Sequence, residues 1–227
     1  MTREINEMKR YLALKPTPFD RESGEAMYAR AMQVLKINVP DASLVLNFGC
    51  GQGLPELPAR LKHAEQGFKP AFAHVDISRE SVDRHENLMA EHASVFPNDV
   101  HIATDVERLP VQKLRKAVGG RSAQAGLAIS VIECYKPARA RKVISRMLQH
   151  CDSLVLSICS HPTLRVVFPD NHKLEAHIYR GLDEAKKELS SKDWEIKKVF
   201  NLGAFSDLPI DHFKYGFFLF LIKRKKE

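Results

Sequence analysis

The stretch from Ser43 to Leu54, SLVLNFGCGQGL, constrains the fold of this chain more than any other. Its apolar start is typical of a buried parallel strand. Three glycines follow at alternate positions, Gly49, Gly51 and Gly53, and a helical pattern comes after them. Glycines at this spacing allow a sharp turn and the close approach of a ligand, and the start of the next helix offers free N–H groups. We therefore expect a ligand-binding loop between a strand and a helix.

The rest of the chain alternates short apolar runs with helical patterns. We expect further strands at 71–77, 100–103, 125–132 and 153–159, and an antiparallel pair at 194–202 and 215–223. Helical patterns occupy 22–36, 54–63, 111–118, 137–150 and 174–190, and a further helix follows Ser78, whose side chain is suited to cap it, with Ser81 three positions on. This alternation predicts an α/β fold with a doubly wound, mainly parallel sheet and helices on both faces. A length of 227 residues fits a single domain, 1–227, in which residues 1–40 form an N-terminal arm and helix.

Several polar residues come directly after predicted strands, where sheets of this kind bind their ligands. Asp76 follows the glycine loop by about 20 residues, the spacing at which an acid accepts hydrogen bonds from ribose hydroxyls. Asp105 ends the third strand, where its side chain is suited to an adenine amino group or to capping the next helix. The sequence therefore favours a nucleoside ligand.

Two common phosphate-binding motifs do not fit the glycine loop. The dinucleotide fingerprint needs glycine at its sixth position, counted from Gly49, and that residue is Leu54. The P-loop pattern also fails, because no Gly-Lys-Ser or Gly-Lys-Thr follows.

Four motifs together resemble those of the class I S-adenosylmethionine-dependent methyltransferases. LVLNFGCGQG is similar to the first motif of that family, HVDIS to the second, and ATDVERLP to the third, while LAISVIECY occupies the place of the fourth. The resemblance covers roughly residues 40–223. It implies a seven-stranded sheet with a reversed last strand, and it implies that residues 163–192 form an insert on the side of the methyl acceptor.

The resemblance also implies S-adenosylmethionine as the cofactor. The contacts to it would come from Asn47, Gly49, Gly51, Gly53, Asp76, Ile77, Asp105, Val106 and Ser130. The chain departs from the family at Asn47, which replaces the usual Asp or Glu and brings no charge.

Three residues near strand ends are candidates for catalysis. His161, just beyond the fifth strand, is the best-placed general base because its ordinary pKa suits neutral pH. Glu133 and Tyr135 are placed to orient an amine or hydroxyl acceptor. Each has a structural alternative: a His before Pro162 stabilises a turn, and Glu133 and Tyr135 support the strand end. Methyl transfer from a sulfonium needs mainly positioning of the reactants, so the need for a base is small.

The sequence indicates only the broad class of the methyl acceptor and of the partners. We expect an enzyme that methylates an oxygen or nitrogen of a small molecule, since no nucleic-acid domain is appended. The alternatives are an RNA or protein acceptor, favoured by the basic clusters at 113–116 and 223–226, and a non-catalytic module that binds a partner protein. The absence of long apolar runs and of a disulfide pattern among the four cysteines predicts a cytoplasmic protein with no membrane partner. Metal-ligand spacing is absent, so the sequence predicts no metal site.

Overall fold

A computed structural model describes residues 18–159, 181–201 and 217–225. The helices are α1 (Pro18–Asn38), α2 (Glu56–Glu65), α3 (Arg79–Ala90), α4 (Val111–Ala117), α5 (Pro137–Leu148) and α6 (Leu182–Leu189). The strands are β1 (Leu44–Phe48), β2 (Ala71–Asp76), β3 (Val100–Ala103), β4 (Ala123–Ala128), β5 (Cys151–Cys159), β6 (Trp194–Asn201) and β7 (Phe217–Arg224). Single 3₁₀ turns lie at Val106–Arg108 and Ile132–Cys134.

The seven strands form one sheet in the order β3-β2-β1-β4-β5-β7-β6. β1 to β5 pair in parallel, whereas β7 runs antiparallel to both β5 and β6. The predicted α/β fold, with a doubly wound, mainly parallel sheet and a reversed last strand, is confirmed. The strand order reverses between β1 and β4, so the glycine loop that follows β1 lies at the switch point where such sheets bind ligands.

The two faces of the sheet are covered by different helices. On the first face, side chains such as Leu46, Val75 and Leu156 pack under α4, α5 and α6. On the second face, side chains such as Val45 and Phe72 pack under α1 and α2. Continuous apolar strands with a helix on each side are what a buried parallel sheet requires.

The predicted boundary of the fourth strand was wrong. We expected a strand over 125–132, and β4 ends at Ala128. Ser130 has a φ of 56° there, which ends the extended backbone, and a 3₁₀ turn follows. Because Ile129 and Ile132 are nevertheless buried, the apolar run continues past the end of the strand and conceals it in the sequence. Within the described residues, no helix combines the length and apolar character that crossing a membrane requires.

Candidate functional site

The glycine loop is fixed to the neighbouring strand by its backbone. The N–H groups of Gly49 and Cys50 donate to the carbonyl oxygen of Val75 in β2, at 2.7 and 3.3 Å. Gly49, Gly51 and Gly53 all have positive φ values, of 70°, 55° and 78°. Three left-handed residues in five are accessible only to glycine without strain, which explains their spacing in the sequence.

The surroundings of the three glycines differ. A Cβ atom on Gly49 would lie 2.4 Å from the side chain of Val131, and one on Gly53 would lie 2.6 Å from the ring of His85. A Cβ on Gly51 would meet nothing within 4 Å. The loop is therefore packed at both ends and open at its centre. The open centre is a cradle over Gly51 that a ligand can approach without meeting a side chain.

Asp76, at the end of β2, is bonded directly to this loop. Its Oδ2 accepts a hydrogen bond from the N–H of Gly51 at 2.9 Å, and its Oδ1 accepts one from Ser78 at 2.8 Å. Burial raises the pKa of the Asp76 carboxyl, while these backbone donors act to lower it. Each carboxylate oxygen has more than one acceptor position, so the two backbone bonds leave capacity for further donors.

Asp105 and Val106 follow β3 at the same edge of the sheet. The Asp105 carboxylate accepts a hydrogen bond from the N–H of Glu107 at 2.9 Å and so caps the first 3₁₀ turn. Capping was the alternative role considered from the sequence, and it leaves the second carboxylate oxygen 4.0 Å from Nε of Arg108. The side chain of Val106 is buried and that of Ile77 is half-buried.

The segment after β4 places Ser130 and Glu133 beside the loop. The N–H of Ser130 donates to the hydroxyl of Ser157 in β5 at 2.7 Å, and that hydroxyl lies 3.4 Å from Oε1 of Glu133. Glu133 is only 5% exposed, so it points into the protein. The positive φ of Ser130, rare for a residue other than glycine, is thus held by a chain of hydrogen bonds to a buried strand.

Tyr135 is buried and has a cation on one face of its ring. The guanidinium of Arg139 lies 5.2 Å from the ring centroid and forms an ion pair of 2.7 Å with Glu107. Burial, followed by the charge of Asp105, raises the pKa of the Glu107 carboxyl. The third catalytic candidate, His161, lies outside the described residues, as does most of the predicted insert at 163–192.

Comparisons with known proteins bear on this geometry. No protein-family model matches the chain, and no curated protein matches it. Magnesium protoporphyrin IX methyltransferase (ChlM) from Synechocystis PCC 6803, with bound SAM, matches with a TM-score of 0.61 at 15% identity, over 98% of this chain and 92% of that one. The chain has the fold of an S-adenosylmethionine-dependent methyltransferase.

Two further solved structures share this methyltransferase fold. The small RNA methyltransferase HEN1 matches with a TM-score of 0.60 at 16% identity, over 87% of this chain and 25% of that one. The N-terminal domain of EvdMO1, with SAH bound, matches with a TM-score of 0.54 at 15% identity, over 88% of this chain and 81% of that one. The resemblance inferred from the four motifs is therefore confirmed at the level of the fold.

Behind the glycine loop lies a row of polar residues, two buried and one half-buried, that could not be identified from the sequence. The strand registers pair Asn47 of β1 with His74 of β2, and His74 with His101 of β3. All three side chains lie on the second face, because their neighbours along each strand pack on the first face, and they contact residues of α2 and α3. The amide nitrogen of Asn47 donates to Oε2 of Glu56 in α2. Asn47, the residue that departs from the family pattern, is fully buried and is bonded to a carboxylate from the next helix.

Glu56 connects this row to α3. Its Oε2 lies 3.1 Å from Nε2 of His85, and its Oε1 lies 3.6 Å from Nδ1 of His74 and 3.6 Å from the guanidinium of Arg60. Burial raises the pKa of the Glu56 carboxyl, but His74, His85 and Arg60 outweigh it and lower the pKa to about 2. Burial lowers the pKa of His74 to about 4 in spite of Glu56. At neutral pH the carboxylate is therefore ionised and the imidazole of His74 is neutral.

Arg60 and Asp99 complete the cluster. The guanidinium of Arg60 donates twice to the Asp99 carboxylate and lies between the rings of Phe72 and Phe96, 4.0 Å from each centroid. Burial raises the pKa of Asp99, but the hydrogen bonds from His74 and Arg60 hold that pKa well below its usual range. A sequence signal for this cluster existed: polar residues such as His74 interrupt runs that are otherwise apolar and buried. The partners come from other elements, so the sequence alone did not identify them.

Proposed function

We propose that this chain is an S-adenosylmethionine-dependent methyltransferase. The observation that carries the proposal is the cradle over Gly51, open at its centre and bonded at 2.9 Å to the acid that ends β2. Because no side chain covers Gly51, a ligand can lie directly against the backbone of the loop. The acid beside it fits a ribose, because a carboxylate accepts hydrogen bonds from two adjacent hydroxyls.

The proposed cofactor contacts follow the strand ends in order. Gly49, Gly51 and Gly53 form the wall nearest the cofactor, and Asp76 accepts from the ribose. Adenine would lie along the edge formed by Ile77, Asp105 and Val106. Ser130, held in its left-handed conformation by Ser157, would border the cofactor from the β4 side. Asn47 would act indirectly, because it is fully buried and bonded to Glu56.

When bound, the cofactor would supply a methyl group on a sulfonium, which carries its own good leaving group. The chain then needs to align the acceptor with that methyl group and exclude competing nucleophiles. We propose a small-molecule acceptor that reacts through oxygen or nitrogen. His161 would take the proton of the acceptor, Tyr135 would orient the acceptor, and Glu133 would position the β4 segment through Ser157. We further propose that residues 1–227 form one cytoplasmic domain, with residues 163–192 next to the acceptor.

Calorimetry with the demethylated cofactor, S-adenosylhomocysteine, tests the proposal. We expect the chain to bind it, and we expect Asp76→Asn to weaken binding by about 1.5–3 kcal/mol, or about 10–150-fold, because hydrogen bonds to a charged acceptor are lost. Asp152→Asn is the matched control, since that aspartate is 69% exposed on β5. A folded protein that binds neither S-adenosylmethionine nor S-adenosylhomocysteine would contradict the proposal and favour the non-catalytic alternative. Unchanged affinity in a folded Asp76→Asn variant would remove only the ribose role.

A basic patch favours RNA as the alternative acceptor. Lys113, Arg115 and Lys116 are exposed on α4. Contacts between such residues and phosphates make affinity fall steeply with salt, with a slope close to the number of contacts. Fluorescence anisotropy with a short labelled RNA at about 50 and 200 mM salt discriminates the two acceptors. We expect weak or absent binding of RNA. Strong binding that is reduced by Lys113→Ala and by Arg115→Ala would favour RNA over a small molecule as the acceptor.

A further inference from the structure

Three ligand-type side chains from separate segments converge behind the glycine loop, and a fourth lies beside two of them. Sγ of Cys50 and one nitrogen each of His74 and His85 lie within 4.8 Å of one another. Glu56 lies beside both imidazoles. Cys50 belongs to the glycine loop, Glu56 to α2, His74 to β2 and His85 to α3. All four are buried, and Glu56, His74 and His85 are completely inaccessible to solvent.

Two ligand-type atoms of this group are buried without a hydrogen-bond partner and face each other. They are Nδ1 of His74 and Oε1 of Glu56, which lie 3.6 Å apart. Nε2 of His74 lies 3.2 Å from the carboxylate of Asp99, which only accepts hydrogen bonds, and 3.3 Å from the guanidinium of Arg60, which only donates them. In the tautomer that donates to Asp99, Nδ1 presents a lone pair to Oε1 of Glu56, and two buried acceptors in this arrangement are stabilised by a cation between them.

The outer contacts of the two imidazoles are those of metal-bound histidines. A histidine that ligates a metal commonly donates its other N–H to a carboxylate or another polar group, which fixes its tautomer. Nε2 of His74 meets Asp99, which is itself held by the guanidinium of Arg60 and by the N–H of Phe72 at 2.9 Å. Nδ1 of His85 meets Nε2 of His101 at 3.0 Å, which leaves Nε2 of His85 facing Glu56.

We propose that Cys50, His74 and His85 bind a structural zinc ion behind the glycine loop, and that Glu56, which contacts both imidazoles, completes the coordination. Zinc prefers four tetrahedral ligands drawn from thiolate, imidazole and carboxylate, at about 2.0–2.3 Å. Two ligands at those distances lie roughly 3.3–3.7 Å apart, which includes the 3.6 Å between His74 and Glu56. The burial of all four side chains leaves no open position for a substrate, and closed coordination is typical of structural rather than catalytic zinc.

The charges of the buried cluster are balanced by this ion. Without a metal, the ionised carboxylates of Glu56 and Asp99 face a single guanidinium, that of Arg60. The Cys50 thiol would lose its proton to solvent as the zinc–sulfur bond forms, adding one negative charge while the ion brings two positive ones. Glu56, Asp99 and the Cys50 thiolate then contribute three negative charges, and Arg60 and the zinc ion contribute three positive ones. A cluster with no net charge is the least costly to bury.

The ion would join the glycine loop to three other elements through Cys50. It would fix the loop at Cys50, the residue before Gly51, and so hold the shape of the loop independently of any ligand. The proposed zinc site is independent of the proposed methyltransferase activity.

Metal analysis of the full chain, freed of any affinity tag, tests the proposal first. We expect mass spectrometry of the purified protein to find zinc in equimolar amount. We also expect the metal-free protein to bind Co²⁺ with the d–d bands of a tetrahedral site and a sulfur-to-cobalt charge-transfer band in the near ultraviolet. A folded chain that retains no zinc and shows no such bands with Co²⁺ would overturn the proposal, leaving a hydrogen-bonded polar cluster only.

Variants identify the ligands. Cys50→Ala should abolish the charge-transfer band, whereas Cys151→Ala, which alters a second buried cysteine outside the cluster, should keep it. Asp99→Asn should weaken Co²⁺ binding about 10–100-fold while keeping the band, as expected for an outer partner of a ligand. If Cys50→Ala does not fold, the Asp99→Asn titration decides. Circular dichroism checks that each variant is folded. If neither Cys50→Ala nor Asp99→Asn changes Co²⁺ binding, the metal lies elsewhere and the proposal is overturned.

Discussion

The two faces of the sheet solve the problem of burial in different ways. On the first face, β1 to β5 present side chains such as Leu46, Val75 and Leu156 to α4, α5 and α6, and the contacts are apolar. On the second face, the packing is apolar under α1 but becomes polar where Asn47, His74 and His101 lie side by side. Apolar burial has no direction, whereas a buried polar group is stable only with a specific partner. The polar part is also the part that lies behind the candidate cofactor loop.

The difference predicts where single substitutions are most damaging. Removing one partner from a buried set of charges leaves the others uncompensated, and this costs more than a similar loss of apolar surface.

Arg60→Ala should reduce the free energy of unfolding by about 3–5 kcal/mol, because Glu56 and Asp99 would be left buried without their cation. Denaturation by urea, followed by circular dichroism, measures the change. Arg79→Ala is the matched control, since Arg79 pairs with Asp83 at a position 75% exposed, and it should change stability by less than about 0.5 kcal/mol. A loss at Arg60 as small as the loss at Arg79 would contradict the distinction between the two faces.

Gly53→Ala should reduce the free energy of unfolding by about 2–3 kcal/mol. Its φ of 78° strains alanine, and the added Cβ would lie 2.6 Å from the His85 ring. Gly67→Ala separates the two causes: φ is 81° there, but a Cβ would meet nothing within 4 Å. Only the strain of about 1 kcal/mol should then appear. Thermal or urea denaturation of both variants gives the comparison, and equal losses would show that His85 yields to the added methyl group.

His150 gives the smallest effect, on the apolar side of the sheet. It is 8% exposed and lies near Phe48, and burial, with the charge of Arg146, lowers its pKa to about 4. Because an unfolded histidine has a pKa of about 6.5, the unfolded chain binds the proton first as the pH falls. The contribution of the neutral ring is present above pH 6.5 and is lost as the pH falls toward 4.

Urea denaturation of the unmodified chain and of His150→Gln at pH 7.5 and pH 5 measures this contribution. The unmodified chain should lose about 2 kcal/mol more than the variant over this range. Using the difference between two proteins removes the titration of carboxylates that both share. Parallel pH dependence in the two proteins would show that His150 is accessible to protons in the folded state.

Most of the fold could be predicted from the sequence because its determinants are local. Apolar runs predicted the strands and helical spacing predicted the helices. β3, for example, has the predicted bounds, Val100–Ala103. The end of β4 could not be predicted, because Ile129 and Ile132 are buried both in a strand and in the turn that replaces it. The cap at Ser78 was predicted and is confirmed by the hydrogen bond that its hydroxyl accepts from Ser81 at 3.2 Å.

The candidate site was predictable only in the part that is contiguous in sequence. The glycine loop and Asp76 follow from spacing along the chain. The cluster around Glu56 does not, because the contact between Asn47, His74 and His101 depends on strand register, and register depends on the whole sheet. His85 in a helix and His74 in a strand gave no sign that their rings lie 4.0 Å apart.

The row of Asn47, His74 and His101 has a consequence for how the sheet assembles. A slip of β2 by one residue would move His74 to the first face, among aliphatic side chains, and would turn Ala73 and Val75 toward Glu56 and Asp99. Such a mispaired sheet would bury the imidazole of His74 without a polar partner and separate it from Glu56 and Asp99, whereas a slip between purely apolar strands meets little resistance. The polar row therefore favours the native strand register during folding, and this is the register that brings the glycine loop and Asp76 to the same edge of the sheet.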